Sequence, residues 1–323
     1  MRLAILDDYQ GAAHAFADWS AVAQRCIITV FDTNLGPLDK AAAALADFAI
    51  VCAMRERQPF PRAMFERLPH LRLLVTTGAQ NRSIDLAAAT DHGVLVCHTG
   101  GHYSLYSTAE LTWALVLASM RHLAKEEHAI RNGDWQGTVG RTLFGRTLGI
   151  IGLGRIGAHV ASFGNAFGMR VLAWSQNLTA EHAYAKGAER VEKDVLLHES
   201  DVFSLHLVLS DRTRGIIGED EIAQMRPGAL LVNTSRGPLI DEAALLKALQ
   251  TRRICAGLDV YNEEPLPAAH PLRSCPNVVL TPHLGYVAEE VYAEFFRDTV
   301  EDVLAFLDGA PVRVLNPAVL SKG

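Results

Sequence analysis

Three short segments hold residue types that could do chemistry together. Asn233-Thr234-Ser235-Arg236-Gly237, Asp259-Val260-Tyr261-Asn262-Glu263-Glu264-Pro265 and Thr281-Pro282-His283-Leu284-Gly285 each follow an apolar run patterned like a buried strand. The carboxyl end of a parallel strand is where an open α/β sheet binds ligands. An arginine there can hold a carboxylate through two parallel hydrogen bonds. An imidazole titrates near roughly 6.5, so it can hand over a proton at neutral pH. A neighbouring carboxylate favours its charged form. Arg236, Glu264 and His283 therefore supply a carboxylate clamp and a proton donor, two of the three parts needed to reduce a 2-oxo acid. Singly, each has an ordinary structural reading: a surface ion pair, a satisfied hydrogen-bonder, a turn residue before proline. Placed on successive strand ends, they converge on one site.

The third part, a hydride source, requires a place for a nicotinamide cofactor. Gly152-Leu153-Gly154-Arg155-Ile156-Gly157 follows an apolar strand pattern and opens a helical one over 158–167, with another strand starting near Arg170. Gly152 permits the tight turn, Gly154 lets a pyrophosphate approach the backbone, and Gly157 lets helix and strand pack closely. The amides of Arg155 and Ile156 then lie at the positive end of the helix dipole. An acid is expected at the end of the next strand to bind the adenosine ribose, but Ser175 occupies that place in Ala173-Trp174-Ser175-Gln176-Asn177. No arginine or lysine stands there to pair with a 2′-phosphate. NAD is the expected cofactor, with NADP left open.

These segments need a frame, and the alternation of β-branched runs with Ala-rich helical stretches provides one of the α/β class. Strands are predicted at 3–6, 27–31, 48–52, 73–76 and 94–97, with helical patterns between them at 39–46 and 84–90. A long apolar helix is predicted over 107–131, then a polar, glycine-containing bend over 131–141. A second series of strands follows at 147–152, 170–173, 202–205, 230–233, 256–258 and 278–280. A helix over 289–307 follows, and the tail after Pro311 reads as loosely held.

The chain has 323 residues, enough for two domains, with about half of them hydrophobic and a fifth charged. A net charge of −6 with no long basic run gives no footprint for a nucleic-acid partner. No apolar run approaches the roughly 20 residues of a membrane span, so no membrane partner is expected. The first residues lack the pattern of a signal peptide. Five scattered cysteines without a CxxC read as reduced thiols, and a cytoplasmic protein is expected.

With these motifs in order, the chain resembles the D-isomer-specific 2-hydroxyacid dehydrogenase family. The resemblance covers nearly the whole chain and is strongest from Ser107 to Gly285. It includes Ser107-Thr108-Ala109-Glu110, Ser204-Leu205-His206-Leu207, Met225-Arg226-Pro227-Gly228 and Ala256-Gly257-Leu258-Asp259-Val260. It implies two doubly wound parallel-sheet domains: a flavodoxin-like substrate-binding domain (1–101 and 288–323) with an NAD(P)-binding Rossmann domain (102–287) inserted into it. It implies an oxidoreductase moving a hydride between the cofactor and C2 of a small D-2-hydroxy or 2-oxo acid. Arg236 would bind the substrate carboxylate and carbonyl, His283 would be the acid/base, and Glu264 its partner. Ser235, Asp259, Thr108, His206, Thr213 and Ser175 would line the cofactor cleft. Arg55 and the amides of Ala79 and Gln80 would meet the substrate. An arm around Trp135 implies a homodimer.

The sequence departs from the family at Gln80, where many members carry glycine, in a longer segment 97–106, and at Val208 in place of a proline. The first two bear on the substrate pocket. His98 and His102 fall in a Gly-Gly turn with no third ligand at a recognisable spacing, so no metal is expected. Lys125-Glu126-Glu127 reads as an exposed face, and His122 and His128 as solvated or interface residues. An NAD-sensing regulator of the same fold is the alternative from another class; it would need a peptide-binding surface or extra tails, and only a short tail follows Pro311. A formate dehydrogenase would place glutamine beside the histidine and a longer N-terminal region, and Glu264 speaks against it.

Overall fold

In the computed structural model, which describes residues 1–321, the apolar runs of the first third pair as a parallel sheet. Its strands are β1 (Arg2–Ile5), β2 (Ile27–Val30), β3 (Ile50–Ala53), β4 (Leu73–Thr76) and β5 (Leu95–His98), in the order β2-β1-β3-β4-β5. Every residue of β3 and β4 is buried, which is why these strands read as continuous apolar runs rather than alternating ones. The sheet reverses direction of winding between β1 and β3, a topological switch point. Leu6, Phe48, Phe60, Phe65 and Leu74 fill one face.

The second series forms a seven-stranded parallel sheet: β6 (Thr147–Ile151), β7 (Arg170–Trp174), β8 (Glu189–Arg190), β9 (Val202–Leu205), β10 (Ala229–Asn233), β11 (Ile254–Leu258) and β12 (Val278–Leu280). Its order, β12-β11-β10-β9-β6-β7-β8, puts the switch point between β6 and β9, as dinucleotide-binding sheets do. The helices Arg155–Ala166 and Ser104–Arg121 pack on one face over Leu148, Ile150, Val171 and Val232. The helices Lys193–Glu199 and Glu242–Gln250 contribute to the core of the other, around Phe203, Leu231 and Leu258. Thr179 and Asp241 each accept a backbone amide at a helix start, satisfying donors the helix cannot.

Contacts divide the chain into two units. One is Met1–Tyr103 together with the chain from Ala288 on; the other, Ser104–Val287, is inserted between them. The two expected doubly wound sheets are thus present, one in each unit.

Several expectations need correction. The single helix over 107–131 is two, Ser104–Arg121 and Leu123–Arg131, broken at His122, whose φ of 53° is left-handed. Apolar periodicity does not register one residue leaving helical φ. The first helix buries its apolar face within its own unit through Trp113, Leu115, Val116 and Met120; the second buries nothing. The glycine-loop helix begins at Arg155 rather than Ala158. Glu126 is not merely part of an exposed face: its Oε2 accepts the Gly137 amide at 3.2 Å and tethers the bend after the helix. The tail after Pro311 is held: Asn316 bridges Val96 and Val94, accepting the first amide at 2.8 Å and donating to the second carbonyl at 2.9 Å. Arg313 donates to Asp302 at 3.0 Å and to Glu301 at 2.8 Å. A lone asparagine and arginine carry no periodic signal from which such anchoring could be read.

Candidate active site

In the unit Ser104–Val287 the glycine loop is built as its spacing demands. Gly152 has φ of +102°, and a Cβ there would fall 2.7 Å from the His206 carbonyl. A Cβ on Gly157 would fall 2.3 Å from the Gly152 carbonyl oxygen, so helix and strand approach at backbone distance. Gly154 differs, because a Cβ there would meet nothing within 4 Å. Protein packing does not require glycine at this position. Close approach of a ligand to the backbone does, and Gly154 caps the helix whose first residues are Arg155 and Ile156.

Across the switch point, His206 continues β9, and its amide donates to the Ile151 carbonyl at 2.8 Å. Its Nε2 lies 2.8 Å from Ser204 Oγ, while Nδ1 is buried without a hydrogen-bond partner among the described residues. Burial pushes this ring down to about 3, so it is neutral. A neutral ring with one orphaned nitrogen beside Gly152 fits the rim of a cofactor cleft. Thr213 closes the loop after β9, its Oγ1 donating to the Val208 carbonyl at 2.7 Å and accepting the Ser210 amide at 2.8 Å. Ser175, one residue past β7, leaves that strand end without charge.

The three chemistry-bearing segments leave β10, β11 and β12, which are neighbours. Backbone hydrogen bonds carry the register past the strand ends: Asp259 N to Asn233 O at 3.0 Å, then His283 N to Asp259 O at 2.8 Å. Ser235 Oγ reaches back to the Leu205 carbonyl at 2.8 Å. Gly237 presses on the backbone of Tyr261 and Asn262, where a Cβ would fall 2.2 Å from the Tyr261 carbonyl carbon. That contact brings the Arg236 loop against the segment carrying Glu264. Arg236 itself donates to the Ser235 carbonyl at 2.6 Å, and its charge acts on Glu264.

His283 Nδ1 donates to Glu264 Oε2 at 2.6 Å, and Glu264 Oε1 accepts the Tyr261 amide at 2.9 Å. Burial alone would raise the Glu264 carboxyl. The His283 hydrogen bond and charge, the Tyr261 amide and the Arg236 charge outweigh it and hold Glu264 below the usual carboxylate range. With Nδ1 committed, Nε2 is the nitrogen left for a substrate. The pair is 21% and 32% exposed at the side chains, so a small molecule can reach it.

His283 has φ of 55°, unfavourable for a residue with a Cβ by about 1–3 kcal/mol, and such a conformation persists only where neighbours fix it. Asp259 does so. It is fully buried; Oδ1 accepts Thr281 Oγ1 at 2.6 Å and the Leu284 amide at 2.7 Å, and Oδ2 accepts the Gly285 amide at 2.9 Å. Burial raises the Asp259 carboxyl, and these hydrogen bonds and the His283 charge oppose the rise. Thr281 and Tyr261, whose hydroxyl donates to the Thr281 carbonyl at 2.8 Å, have roles the sequence reading did not assign. Their only signal is position, two residues before His283 and two after Asp259.

The other unit carries the remaining predicted residues. Arg55, just past β3, has φ of 52°, and its amide donates to Thr77 Oγ1 at 2.9 Å. Its guanidinium lies over Gly78 and donates to the Thr77 carbonyl at 3.2 Å. Ala79 and Gln80 follow on an exposed turn, and among the described residues neither amide finds an acceptor. Two open amides beside a guanidinium form a cradle for an anion. Asn81, also unassigned from sequence, fixes this turn: its Nδ2 donates to the Arg55 carbonyl at 2.7 Å and to Thr76 Oγ1 at 2.8 Å, and its Oδ1 accepts Ser83.

The profile of the NAD binding domain of the D-isomer specific 2-hydroxyacid dehydrogenases matches residues 113–285. A glyoxylate reductase of Aeropyrum pernix is 40% identical over 268 residues, 80% of either chain. A solved structure described as a putative D-3-phosphoglycerate dehydrogenase from Ralstonia solanacearum superposes with a TM-score of 0.91 at 38% identity, covering 99% of this chain and 98% of that one. The D-lactate dehydrogenase of Aquifex aeolicus, solved with NAD and lactic acid, gives a TM-score of 0.77 at 27% identity, covering 99% and 98%. The open cradle at Gly154, the orphaned nitrogen of His206 and the Arg236, Glu264 and His283 strand ends agree with these likenesses: the chain belongs to the D-isomer specific 2-hydroxyacid dehydrogenase family and is an NAD-binding oxidoreductase of small 2-hydroxy and 2-oxo acids.

Proposed function

We propose that this enzyme reduces glyoxylate or hydroxypyruvate with His283 as proton donor, an assignment carried by the 2.6 Å pair of His283 Nδ1 with Glu264 Oε2. Gly152, Gly154, Arg155, Ile156 and Gly157 would hold NADH, which would supply the hydride for C2. The substrate carbonyl carbon gains the hydride, and its oxygen takes the proton from His283 Nε2 as negative charge develops there. Glu264 holds Nδ1 and balances the imidazolium. Arg236 binds the carboxylate and polarises the carbonyl. Arg55 and the amides of Ala79 and Gln80 bind the carboxylate end. Ser235, Asp259, His206, Thr213 and Ser175 serve the cofactor side, whereas the Thr108 hydroxyl is spent on the Ser104 and Gly285 carbonyls. The choice of oxo acid rests on the 40% identity to a glyoxylate reductase and the 37% identity to a glyoxylate/hydroxypyruvate reductase B of Serratia proteamaculans.

We further propose a cytoplasmic homodimer. None of the five cysteines is in a disulfide, and no helix among the described residues is long and apolar enough to cross a membrane. Exposed Trp135, Val139 and Phe144 support self-association. The reading is tested by steady-state reduction of glyoxylate, hydroxypyruvate, pyruvate and bulkier 2-oxo acids with NADH and NADPH. Saturable turnover of one of the first two is expected. A preference for a bulky or phosphorylated acid overturns the substrate assignment.

A further inference from the structure

The helix Ser104–Arg121 turns three hydroxyl side chains toward the strand-end loops of its own unit. Ser107 Oγ donates to the Gly285 carbonyl at 2.8 Å. Thr108 Oγ1 lies 2.9 Å from the same oxygen and 2.7 Å from the Ser104 carbonyl, sharing one proton between them. One turn on, Thr112 Oγ1 donates to the Thr108 carbonyl at 2.8 Å and lies 2.8 Å from Thr234 Oγ1, whose proton it can accept. Thr108, Thr112 and Thr234 are all buried. A helix face that only needed to pack could carry alanine and valine here at no desolvation cost, whereas each buried hydroxyl requires a partner. The partners are unevenly distributed. Ser107 and Thr108 hold Gly285, two residues after His283, and Thr112 holds Thr234, two residues before Arg236.

Gly285 is gripped from both sides. Its carbonyl takes the two hydroxyls, and its amide donates to Asp259 Oδ2 at 2.9 Å. A Cβ on Gly285 would lie 3.3 Å from that carboxylate oxygen and 3.4 Å from Thr108, so the peptide has little room to shift. His283 sits in a left-handed conformation that only its surroundings can maintain. Holding Gly285 is therefore a way of holding the His283 ring against Glu264.

We propose that Ser107, Thr108 and Thr112 are positioning residues, a hydroxyl row on one helix that sets the His283 loop and the Arg236 loop in mutual register for the reaction. The proposal rests on the reading of His283 as proton donor and Arg236 as carboxylate clamp. It extends that reading to a helix whose residues touch neither reacting atom.

The test compares Ser107→Ala, Thr108→Val, their double variant and Thr108→Ser, with His283→Ala as the control. The full-length enzyme is assayed for kcat, for KM of hydroxypyruvate and for the pH profile of kcat, and NADH affinity is measured by fluorescence titration. A displacement of a reacting group by about 1 Å can cost on the order of 10²-fold, and the double variant is expected to lose kcat on that scale. NADH affinity should stay within about threefold, and the pH above which reduction fails should move down as the Glu264 contact loosens. Thr108→Ser, which restores the hydroxyl, should recover most of the rate. Thr112→Val should act instead on the KM for the oxo acid.

A double variant whose kcat and pH profile stay within about twofold of wild type overturns the proposal. So does a loss confined to NADH affinity, which would make the hydroxyls cofactor ligands. Thr108→Val keeps the β-branched shape, so if the double variant does not fold, the single variants decide by the same criteria. If His283→Ala itself retains turnover, the underlying reading fails; if it abolishes turnover while the hydroxyl variants do not, only the present proposal fails.

Discussion

At the scale of single residues, the chemistry turns on where charge can move. His283→Ala should lower kcat on the order of 10²–10⁴-fold while NADH still binds, the usual worth of a positioned acid/base; a folded variant within about threefold of wild type ends the assignment. Glu264 is held below the usual carboxylate range, so the pair keeps its negative partner at neutral pH. Glu264→Gln removes the charge that favours the imidazolium. The pH above which reduction declines should then move down, and oxidation of the hydroxy acid, which needs the neutral ring as base, should begin at lower pH. A reductive pH profile unmoved in that variant removes Glu264 from the role. Arg236→Lys keeps charge but not the fork, and should raise KM and lower kcat for the oxo acid. Ser175→Asp should sharpen preference for NADH, because an acid there repels a 2′-phosphate; a wild-type preference for NADPH on the order of 10²-fold would mean that a cation elsewhere binds the phosphate. The residues of this scale were legible because their chemistry is local. Asp259, by contrast, showed its position but not its work. Nothing in Asp259-Val260 states that both its oxygens will be taken by a loop more than twenty residues away.

At the scale of elements, the strands were legible apart from the two-residue edge strand β8, which is too short to carry a period, and helix breaks were not. Residues 73–76 and 202–205 are strands to the residue, since a buried parallel strand is a short apolar run with hard ends, and the half-buried edge strand 278–280 matches as well. Helix Glu289–Leu307 was equally plain from its period. What periodicity cannot carry is a single dihedral, such as His122, or an anchor made by one polar side chain. The tail shows the second case. Asp302, in helix Glu289–Leu307, is fully buried and accepts Arg313 at 3.0 Å. Burial raises its carboxyl to about 7 against the pull of Arg313, with Asp298 and Glu301 adding repulsion. A carboxyl raised in the folded state stabilises the fold fully only below its ordinary value near ~3.8, and that contribution is lost as pH rises toward 7. Asp302→Asn keeps an acceptor for Arg313 and removes the titration. Thermal unfolding of the wild type should therefore weaken between pH 5 and pH 8 more than that of Asp302→Asn, as circular dichroism melts would report. Parallel behaviour of the two proteins would mean that Asp302 is charged in the fold and its burial offset by Arg313 alone.

At the scale of the whole molecule, the surface of the Ser104–Val287 unit has a feature its own core does not explain. Leu123 and Ile130 on the helix Leu123–Arg131, then Trp135, Val139 and Phe144 beyond it, are all more than half exposed, Trp135 at 76% and Val139 at 92%. A chain seldom leaves so many large apolar side chains of one stretch in water unless something covers them. The helix Ser104–Arg121 is covered within its unit, and the excess lies on the shorter helix and the extended stretch after it. Glu126, gripping the Gly137 amide, keeps the start of that stretch in a defined course rather than a collapsed one. The covering partner we expect is a second copy, because closed two-fold pairing lets one patch serve both sides at once. Sedimentation equilibrium at micromolar concentration should give twice the mass of the 35.2 kDa chain. Trp135→Glu combined with Val139→Glu should return the single mass. Each substitution puts a charge where an apolar contact is needed, on residues that the unit's own fold leaves outside. A wild-type protein that sediments as one chain would assign the patch to some other partner and leave the chemistry of the strand ends untouched.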